Sequence, residues 1–176
     1  MTGHADTIVE FEGCRGLYAH LAGPEAGDEG YVLAPGGFEA LFDPEVKVVY
    51  EEPGNWPGGR FLSARILTRN PVIGLYILDD PELGSWMRLD SELRKNLSYV
   101  RPAYIHVQHP ESDRRTLEVR LGDGGYKVDM KYDPNLGCDL NLATVSLKSG
   151  DPFWWGEEVV ISKPTLTDTT FDPTVP

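Results

Sequence analysis

Alternating apolar and polar residues dominate this 176-residue chain, and a period of two places side chains alternately on the two faces of a β-strand. The 19 glycines and 14 prolines favour tight turns between short strands. Hydrophobic residues make up 40% of the chain, enough for one packed core at this length. The pattern predicts strands at residues 8–12, 31–33, 46–50, 61–68, 72–78, 103–108, 117–121, 126–132 and 140–147.

Three of these segments carry further information about the sheet. Residues 72–78 are apolar on both faces, which is typical of a strand in the middle of a sheet. Asp123-Gly124-Gly125 separates two alternating segments, and Asp-Gly predicts a hairpin turn between them. In residues 140–147 the apolar parity changes between Leu142 and Ala143, which predicts either a bulge or a strand buried on both faces.

One helix is predicted to begin near Asp80, which suits the cap position. Pro81 suits the first helical position, and Glu82 complements the positive end of the helix dipole. The helix must end before Pro102. Its apolar stripe packs against a sheet in this interpretation and consists of Leu83, Trp86, Met87, Leu93 and Leu97, with Leu89 near its edge.

The predicted elements indicate a mainly β fold, an antiparallel β-sandwich with one packed α-helix. The segment 51–59 is rich in glycine and proline, so we expect a projecting loop or hairpin there. Residues 1–162 are expected to form this domain. Residues 163–176 are rich in threonine and proline and are expected to be either a tail or a linker, which would lead to a second domain.

The net charge, the cysteines and the N-terminal residues bear on three classes of protein: nucleic-acid-binding, secreted and membrane-spanning. The chain has 28 acidic and 16 basic residues, a formal net charge of -12, which disfavours sequence-independent binding to phosphate backbones. Cys14 and Cys138 are expected to be free thiols of a protein made in the cytosol. The first twenty residues lack the pattern of a signal peptide, and residues 72–78 are too short to span a membrane.

Candidate catalytic and metal-binding groups are weak. His106 and His109 lie three apart on a strand, so they point to opposite faces and favour two ordinary surface histidines. Residues 133–139 space oxygen ligands like a calcium loop, but Cys138 and Thr144 replace the required glycine and glutamate. The acid pairs at 51–52, 79–80 and 157–158 are typical of solvated charge. We therefore expect no enzyme, no metal and no cofactor.

The loop around Trp56 is the main candidate contact site. Trp56 lies between Gly54 and Gly58 and is flanked by prolines, where no regular core element is expected. An aromatic residue at a loop tip often anchors a partner, whereas the alternative is that Trp56 folds back over its own sheet edge. Asn55, Trp56 and Arg60 are the candidate contact residues.

A second aromatic group comes directly after the last predicted strand. Pro152 restricts Asp151 to non-helical geometry, so a tight turn leads directly into Phe153, Trp154 and Trp155. Three aromatic residues behind such a turn favour a plug at the end of a β-sheet layer. At least one of the two tryptophans is expected to be buried.

Four motifs in the same order resemble the N-terminal domain of the distal tail proteins of long-tailed phages, and most closely those known as minor tail proteins in phages of actinobacteria. The helix motif of that family reads Asp-Ser-x-Trp-Arg-Lys, and Leu93 takes the place of its tryptophan. The similarity extends over residues 79–158. The motif residues are Asp90, Ser91, Leu93, Arg94, Arg115, Leu117, Arg120, Asp133, Pro134, Asp151, Pro152, Phe153, Trp154 and Trp155.

This resemblance implies a structural virion protein at the phage tail tip. Distal tail proteins form a six-membered ring below the tail tube, contact the tail-tip or baseplate hub and the tape measure protein, and leave a channel for DNA. If acidic residues line that channel, the net charge would keep DNA from binding. No membrane and no specific nucleic-acid sequence is expected as a partner.

Two alternatives remain beside the tail ring. Another ring-forming tail component, such as a tube protein, would share the β character and the absence of a catalytic site. A carbohydrate-binding β-sandwich of a phage adhesion device would need an aromatic platform, for which only Trp56 and Tyr104 are candidates. A cell-wall hydrolase is the least favoured class.

Overall fold

Nine strands and one α-helix make up the part of the chain that this computed structural model describes, residues 7–52, 54, 57–129 and 140–156. In chain order they are β1 (Ile8–Glu12), β2 (Tyr18–Ala22), β3 (Tyr31–Glu39), β4 (Val46–Glu51), β5 (Arg60–Ile66), β6 (Val72–Leu78), α1 (Trp86–Asn96), β7 (Ala103–Gln108), β8 (Arg115–Val128) and β9 (Leu140–Lys148). The predicted tail, the calcium-like loop and the acid pair at 157–158 lie outside the described residues.

Seven of the strands form one antiparallel sheet in the order β2-β1-β7-β8-β9-β6-β3. The long strand β8 pairs with β7 through Arg115–Val119 and with β9 through its remaining length. It therefore connects two halves of the sheet, as strands do at the corners of sandwiches. The prediction of a mainly β, sandwich-like fold with one helix is confirmed.

A single hydrophobic core lies between the two halves. It takes alternate residues from both halves and two leucines from α1, and β6 lies inside the sheet between β9 and β3, as predicted. Its buried members include Val9, Phe11, Leu21, Tyr31, Ile73, Leu75, Ile77, Leu89, Leu93, Ile105, Leu117, Val119, Val145 and Leu147.

The predicted hairpin at Asp123-Gly124-Gly125 is wrong. Leu121 pairs with Leu147 and Tyr126 with Val145, so residues 122–125 bulge out opposite one residue of β9 while β8 continues. Gly125 has a positive φ of 63°, and a side chain at Gly124 would overlap Ser146. Asp-Gly is a hairpin signal only where the flanking strands pair with each other, whereas the two ends of β8 pair with different strands.

The structure of β9 decides between the two alternatives that its change of apolar parity predicted, a bulge or burial on both faces. Its buried face consists of Asn141, Ala143, Val145 and Leu147, and its register with β6 is continuous, so no bulge interrupts that pairing. The opposite face is half-buried, which is close to the second alternative of burial on both sides. The apparent change of parity arises because the polar Asn141 occupies a core position.

The helix is shorter than predicted. Asp80 accepts hydrogen bonds from the backbone N–H groups of Glu82 (2.7 Å) and Leu83 (3.3 Å), but these close a separate turn. Gly84, with a φ of 109°, ends that turn, and α1 begins at Trp86. Leu89 lies at the centre of the buried face, and Met87 is 63% exposed, so their predicted roles are reversed.

Asn96 joins the end of α1 to the β1–β2 turn. Its side-chain oxygen accepts hydrogen bonds from the backbone N–H groups of Arg15 (3.0 Å) and Leu17 (3.2 Å), and its amide group donates to the carbonyl of Glu92 (3.0 Å). The side chain is buried, and a Cβ at Gly13 would overlap it. The sequence pattern did not predict β2, the short strand that comes after this turn.

We expect Asn96→Ala to lower the free energy of unfolding by about 1–3 kcal/mol, because two partly buried backbone hydrogen bonds lose their acceptor. Urea unfolding measures the change. Lys95→Ala, at the exposed neighbouring position, is the control and should stay within about 0.5 kcal/mol of the wild type. Equal effects of the two substitutions would contradict this role of Asn96.

His20 on β2 is surrounded by carboxylates. Its Nδ1 lies 2.8 Å from Glu29, and its Nε2 lies 3.2 Å from Glu25 and 3.6 Å from Glu10. The hydrogen bond with Glu29 is the largest cause that raises the pKa of His20, and the three negative charges add to it. Glu29 also accepts a hydrogen bond from the backbone of His20 (2.9 Å), so this contact fastens the β2–β3 connection.

A raised pKa in the folded state means that this contact stabilises the protein below the unfolded pKa of about 6.5 and loses that contribution as the pH rises through the folded value. NMR titration should give His20 a pKa above 6.5, and Glu29→Gln should lower it. Glu111→Gln, distant in sequence and exposed, is the control. An unchanged pKa in Glu29→Gln would contradict the assignment.

Candidate assembly surface

Strands β4 and β5 pair only with each other and form a two-stranded ribbon, all of whose residues are exposed. Cross-strand partners share a face, and successive pairs alternate between faces. One face therefore carries the pairs Val46–Ile66, Val48–Ala64 and Tyr50–Phe61. We call these six residues the apolar ribbon face.

The opposite face of the ribbon is mainly polar. It carries the pairs Lys47–Arg65, Val49–Ser63 and Glu51–Arg60. The register shifts between Val49 and Tyr50, where Leu62 is the extra residue on β5. The ribbon is thus amphipathic, although nothing in the described chain covers its apolar face.

The exposure of this face is large for a soluble surface. Tyr50 and Phe61 are 59% and 55% exposed, and their rings meet edge to face with centroids 5.9 Å apart. An isolated two-stranded ribbon is at best marginally stable in water, and a contiguous exposed apolar patch marks an interaction site. The ribbon therefore has the character of a contact surface.

The predicted contact residues are only partly described. Asn55 and Trp56 lie in the segment between β4 and β5 but outside the described residues. Arg60 begins β5 and pairs with Glu51 on the polar ribbon face. Tyr104, the other candidate for a sugar platform, lies on β7 and stacks on His106 at 6.4 Å.

The helix motif has a packing role. Leu93 is buried in the core, whereas Asp90 accepts hydrogen bonds from Tyr126 (2.5 Å) and from Arg94 (2.7 Å). Arg94 lies over the Tyr126 ring, 4.0 Å from its centroid. Burial first, and then Asp90, raises the pKa of Tyr126, which stays a neutral donor. Asp90, Arg94 and Tyr126 thus fasten α1 to β8 just beyond the bulge of β8. Ser91, the remaining motif residue of the helix, is exposed.

The strand motif divides between the core and the surface. Leu117 is fully buried, and Arg120 forms an ion pair with Glu118 (2.6 Å) and donates to the carbonyl of Val100 (3.2 Å). Arg115 is exposed at the start of β8. Asp133 and Pro134 lie outside the described residues.

The motif of residues 151–155, which follows β9, is built around the buried Arg69. The sequence analysis did not predict any role for this arginine. Its guanidinium donates to the carbonyls of Leu41 (2.5 Å), Phe42 (3.2 Å) and Pro152 (2.5 Å) and lies 5.5 Å from the centre of the Trp154 ring. Burial lowers the pKa of Arg69, and Asp43 partly offsets this effect. No ion pair to Arg69 is present among the described residues, so carbonyl groups solvate this cation.

Asp151 shapes the turn that brings Pro152 to Arg69. Its carboxylate accepts hydrogen bonds from the backbone of Phe153 (3.1 Å) and from the indole of Trp155 (3.2 Å). Trp155 also exchanges two backbone hydrogen bonds with Thr116, each 2.8 Å long. The motif therefore fastens the chain to β8 after β9 ends.

The expectation of an aromatic core plug is only partly met. Trp154 is half-buried and packs against the core, but Phe153 and Trp155 are 56% and 60% exposed. The physical reason is that Arg69 occupies the interior at this end, so Trp154 lies over its guanidinium instead of filling the interior. Neither tryptophan is fully buried.

A cleft of about 200 Å³ opens beside Trp154. The cleft combines aromatic and aliphatic walls with basic groups, and no acidic residue lines it. We call it the end cleft, and its lining residues are Thr7, Phe42, Val107, His109, Ser112, Arg115 and Trp154.

The described residues contain no cluster of metal-ligating groups. His106 is buried, so its prediction as a surface histidine is wrong, and it contacts Thr116 (2.9 Å) and Glu12 (3.2 Å). His109 is exposed beyond the end of β7, as predicted. Cys14 is a free thiol, and Cys138 lies outside the described part. In the ranges that the structure describes, no helix is both long and apolar enough to cross a membrane.

The two tryptophans of this motif should differ in their effect on stability. Trp154→Ala should lower the free energy of unfolding by about 2–4 kcal/mol, because it removes core packing and the ring over Arg69. Trp155→Ala, the matched control, should cost less than about 1 kcal/mol because its ring is mostly exposed. Chemical denaturation compares them, and a larger loss for Trp155→Ala would contradict the geometry.

Comparison with known proteins agrees with this architecture. No family model matches the chain. Over 170 residues, 96% of the chain, it is 45% identical to the minor tail protein Gp27 of Mycobacterium phage D29 and 43% identical to that of Mycobacterium phage L5. The chain spans about half the length of these relatives, 49% of each.

A solved structure shares the fold. The crystal structure of Dit (gp 19.1) of phage SPP1, described as a paradigm of the hub adsorption apparatus of phages that infect Gram-positive hosts, covers 87% of this chain with a TM-score of 0.58. The match covers 53% of the Dit chain at 13% identity, so it shows the fold alone. The chain is thus homologous to the minor tail protein Gp27 of mycobacteriophages, and its fold is similar to that of a distal tail protein.

Proposed function

We propose that this chain forms a six-membered distal tail ring that joins the tail tube to the tail tip or baseplate and leaves a channel for DNA. The homology and the shared fold support a structural role in a phage tail. The apolar ribbon face is the observation that carries the finer proposal, because a ring protein needs a surface that only another subunit covers.

The asymmetry of such a contact favours a ring. The ribbon is one amphipathic element at one place on the sandwich, and packing it on a different surface of a neighbouring copy gives a heterologous contact. Repeated heterologous contacts close into a ring when the rotation between copies permits it. The ribbon therefore supports assembly of like subunits, with residues 1–162 as the ring-forming domain and residues 163–176 as a linker or tail.

The candidate contact residues keep their place in this proposal. Asn55, Trp56 and Arg60 belong to the ribbon and its connecting segment, which would contact the neighbouring subunit. The motif residues of α1, β8 and the turn after β9 would hold the sandwich rigid behind the ribbon. The tail tube protein, the tip hub and the tape measure protein are the proposed partners.

The charge of the ribbon bears on the proposed channel. Its polar face carries Lys47, Arg60 and Arg65 beside Glu51. If acidic residues line the channel, they must come mainly from the body of the domain, where Glu10, Glu25 and Glu29 surround His20. An acidic wall would repel the phosphate backbone.

Removal of the ribbon aromatics tests the proposed function. The wild-type chain should form hexamers by native mass spectrometry at high concentration, alone or with the tube protein. Tyr50→Ser combined with Phe61→Ser should give monomers with little change in melting temperature, because both side chains are exposed in the single chain. Met87→Ser on the exposed face of α1 is the control and should still assemble.

Two results would count against the proposal. One is a wild-type chain that stays monomeric even with its tube protein. The other is a double variant that assembles as well as the wild type, which would remove the ribbon from the contact.

A further inference from the structure

We propose that the turn between α1 and β7 of one copy docks into a recess beside His20 of the next copy. We call residues 98–101 the α1–β7 turn. This inference rests on the proposed ring and adds a contact that does not involve the ribbon. The occupant of the recess is a second copy of this chain, with Val100 as the apolar anchor and Arg101 as its charged neighbour.

The α1–β7 turn presents exposed apolar side chains on a fixed backbone. Val100 and Tyr99 are 82% and 65% exposed, the highest fractions among the large hydrophobic residues that the structure describes. The Ser98 hydroxyl accepts hydrogen bonds from the backbone N–H groups of Val100 and Arg101, 3.1 Å each, and its carbonyl accepts one from Leu121 (2.9 Å). A pre-organised anchor of this kind loses little conformational freedom on binding.

The chain around this turn is basic. Residues 93–110 contain no aspartate or glutamate, although acidic residues outnumber basic ones by 28 to 16 in the chain. This stretch carries Arg94, Lys95 and Arg101, all exposed. Among the described residues only Arg94 of these three forms an ion pair, with Asp90. Copies with a net charge of -12 repel one another, so a contact between them is favoured where such a basic surface meets an acidic one.

The recess beside His20 has a volume of about 110 Å³ and joins aliphatic walls to carboxylates. We call it the acidic recess, and its lining residues are Ile8, Glu10, His20, Ala22, Pro24 and Glu25. The aliphatic walls suit the side chain of Val100. The Glu25 side chain is 66% exposed, so it can also meet Arg101 of another copy. In this arrangement Glu25 belongs to a subunit contact and not to a channel wall.

The charge beside the acidic recess is negative even after its internal ion pairs are counted. The β2–β3 connection, residues 23–30, carries Glu25, Asp28 and Glu29 and no basic residue. With Glu10 these make four carboxylates, which Arg114 and His20 offset only in part. The recess is therefore electrostatically complementary to the α1–β7 turn.

The turn and the recess lie at opposite ends of one strand. The turn comes just before β7, whereas Ile8 pairs with Gln108 at the far end of β7, about 17 Å along the strand. Their contact between copies is therefore heterologous, the kind that closes into a ring. The ribbon leaves the domain near the recess end, because Phe42, shortly before β4, lines a cleft with Thr7. Both contacts can thus join the same two copies.

Site-directed cross-linking tests this contact in the full chain. In a Cys14→Ser, Cys138→Ser background, Val100→Cys and Pro24→Cys are combined and treated with a short bismaleimide. A ladder of covalent species that ends at six copies supports the contact. The control combines Pro24→Cys with Met87→Cys and should give no ladder, because Met87 is exposed at the opposite end of α1 from the turn.

The outcomes separate this contact from the ring itself. Hexamers by native mass with no ladder from the Val100–Pro24 pair would overturn the contact and leave the ring intact. A ladder that continues beyond six copies would support the contact and overturn sixfold closure. Absence of any assembly in the cysteine-free background, with and without a tail tube protein, would overturn both. A ladder of equal yield from the control pair would overturn the contact, because it would show unspecific collision.

A charge exchange provides a second readout that does not depend on cysteines. Arg101→Glu and Glu25→Arg should each raise the concentration for half-maximal assembly about tenfold, and the combined variant should restore it to within about threefold. Arg88→Glu, which changes the net charge equally in the first turn of α1, is the control and should change it less than about threefold. Melting temperatures of the monomers confirm that each variant folds.

Two results of the charge exchange would overturn the pairing of Arg101 with Glu25. One is additive losses in the combined variant, which would show that the two charges act independently. The other is an equal loss in Arg88→Glu, which would show that net charge and not local contact controls assembly.

Discussion

Strand β8 belongs to both halves of the sheet, and the rest of the fold depends on that double pairing. Because β8 pairs with β7 at one end and with β9 at the other, the two halves enclose a single core. The strand changes partners between Val119 and Arg120, and the bulge at residues 122–125 follows within its pairing with β9. Asp90, Arg94 and Tyr126 then attach α1 directly beyond it, so the helix and the corner of the sandwich support each other.

The end of the domain is organised by a buried cation. Arg69 gathers carbonyl groups from two separate loops, one before the ribbon and one after β9. A buried charge is tolerated only when its hydrogen-bond donors have acceptors. Backbone carbonyls accept from both terminal nitrogens of Arg69, whereas its Nε has no partner among the described groups. Because the interior is taken by Arg69, the aromatic residues after β9 lie at the surface. The same arrangement forms the wall of the end cleft.

Much of the fold was predictable from residue patterning, but the candidate site only in part. Period-two alternation located most strands. Pro102 correctly predicted that the helix ends before it, and Leu93 was correctly placed on the buried face. The failures in the sheet have a common cause, since local signals do not reveal which strand pairs with which. The apolar ribbon face depends on the register of β4 and β5, and the role of Arg69 depends on loops 28 and 83 residues away along the chain.

The central claim is that the ribbon folds within a single chain but that its apolar face is buried only by another subunit. Cryo-electron microscopy of the assembled chain, with the tube protein if assembly requires it, tests this directly. We predict a sixfold ring in which each apolar ribbon face is buried against the neighbouring copy. A ring whose ribbons stand free in solvent, or a chain that remains single when a tail tube protein is present, would contradict it.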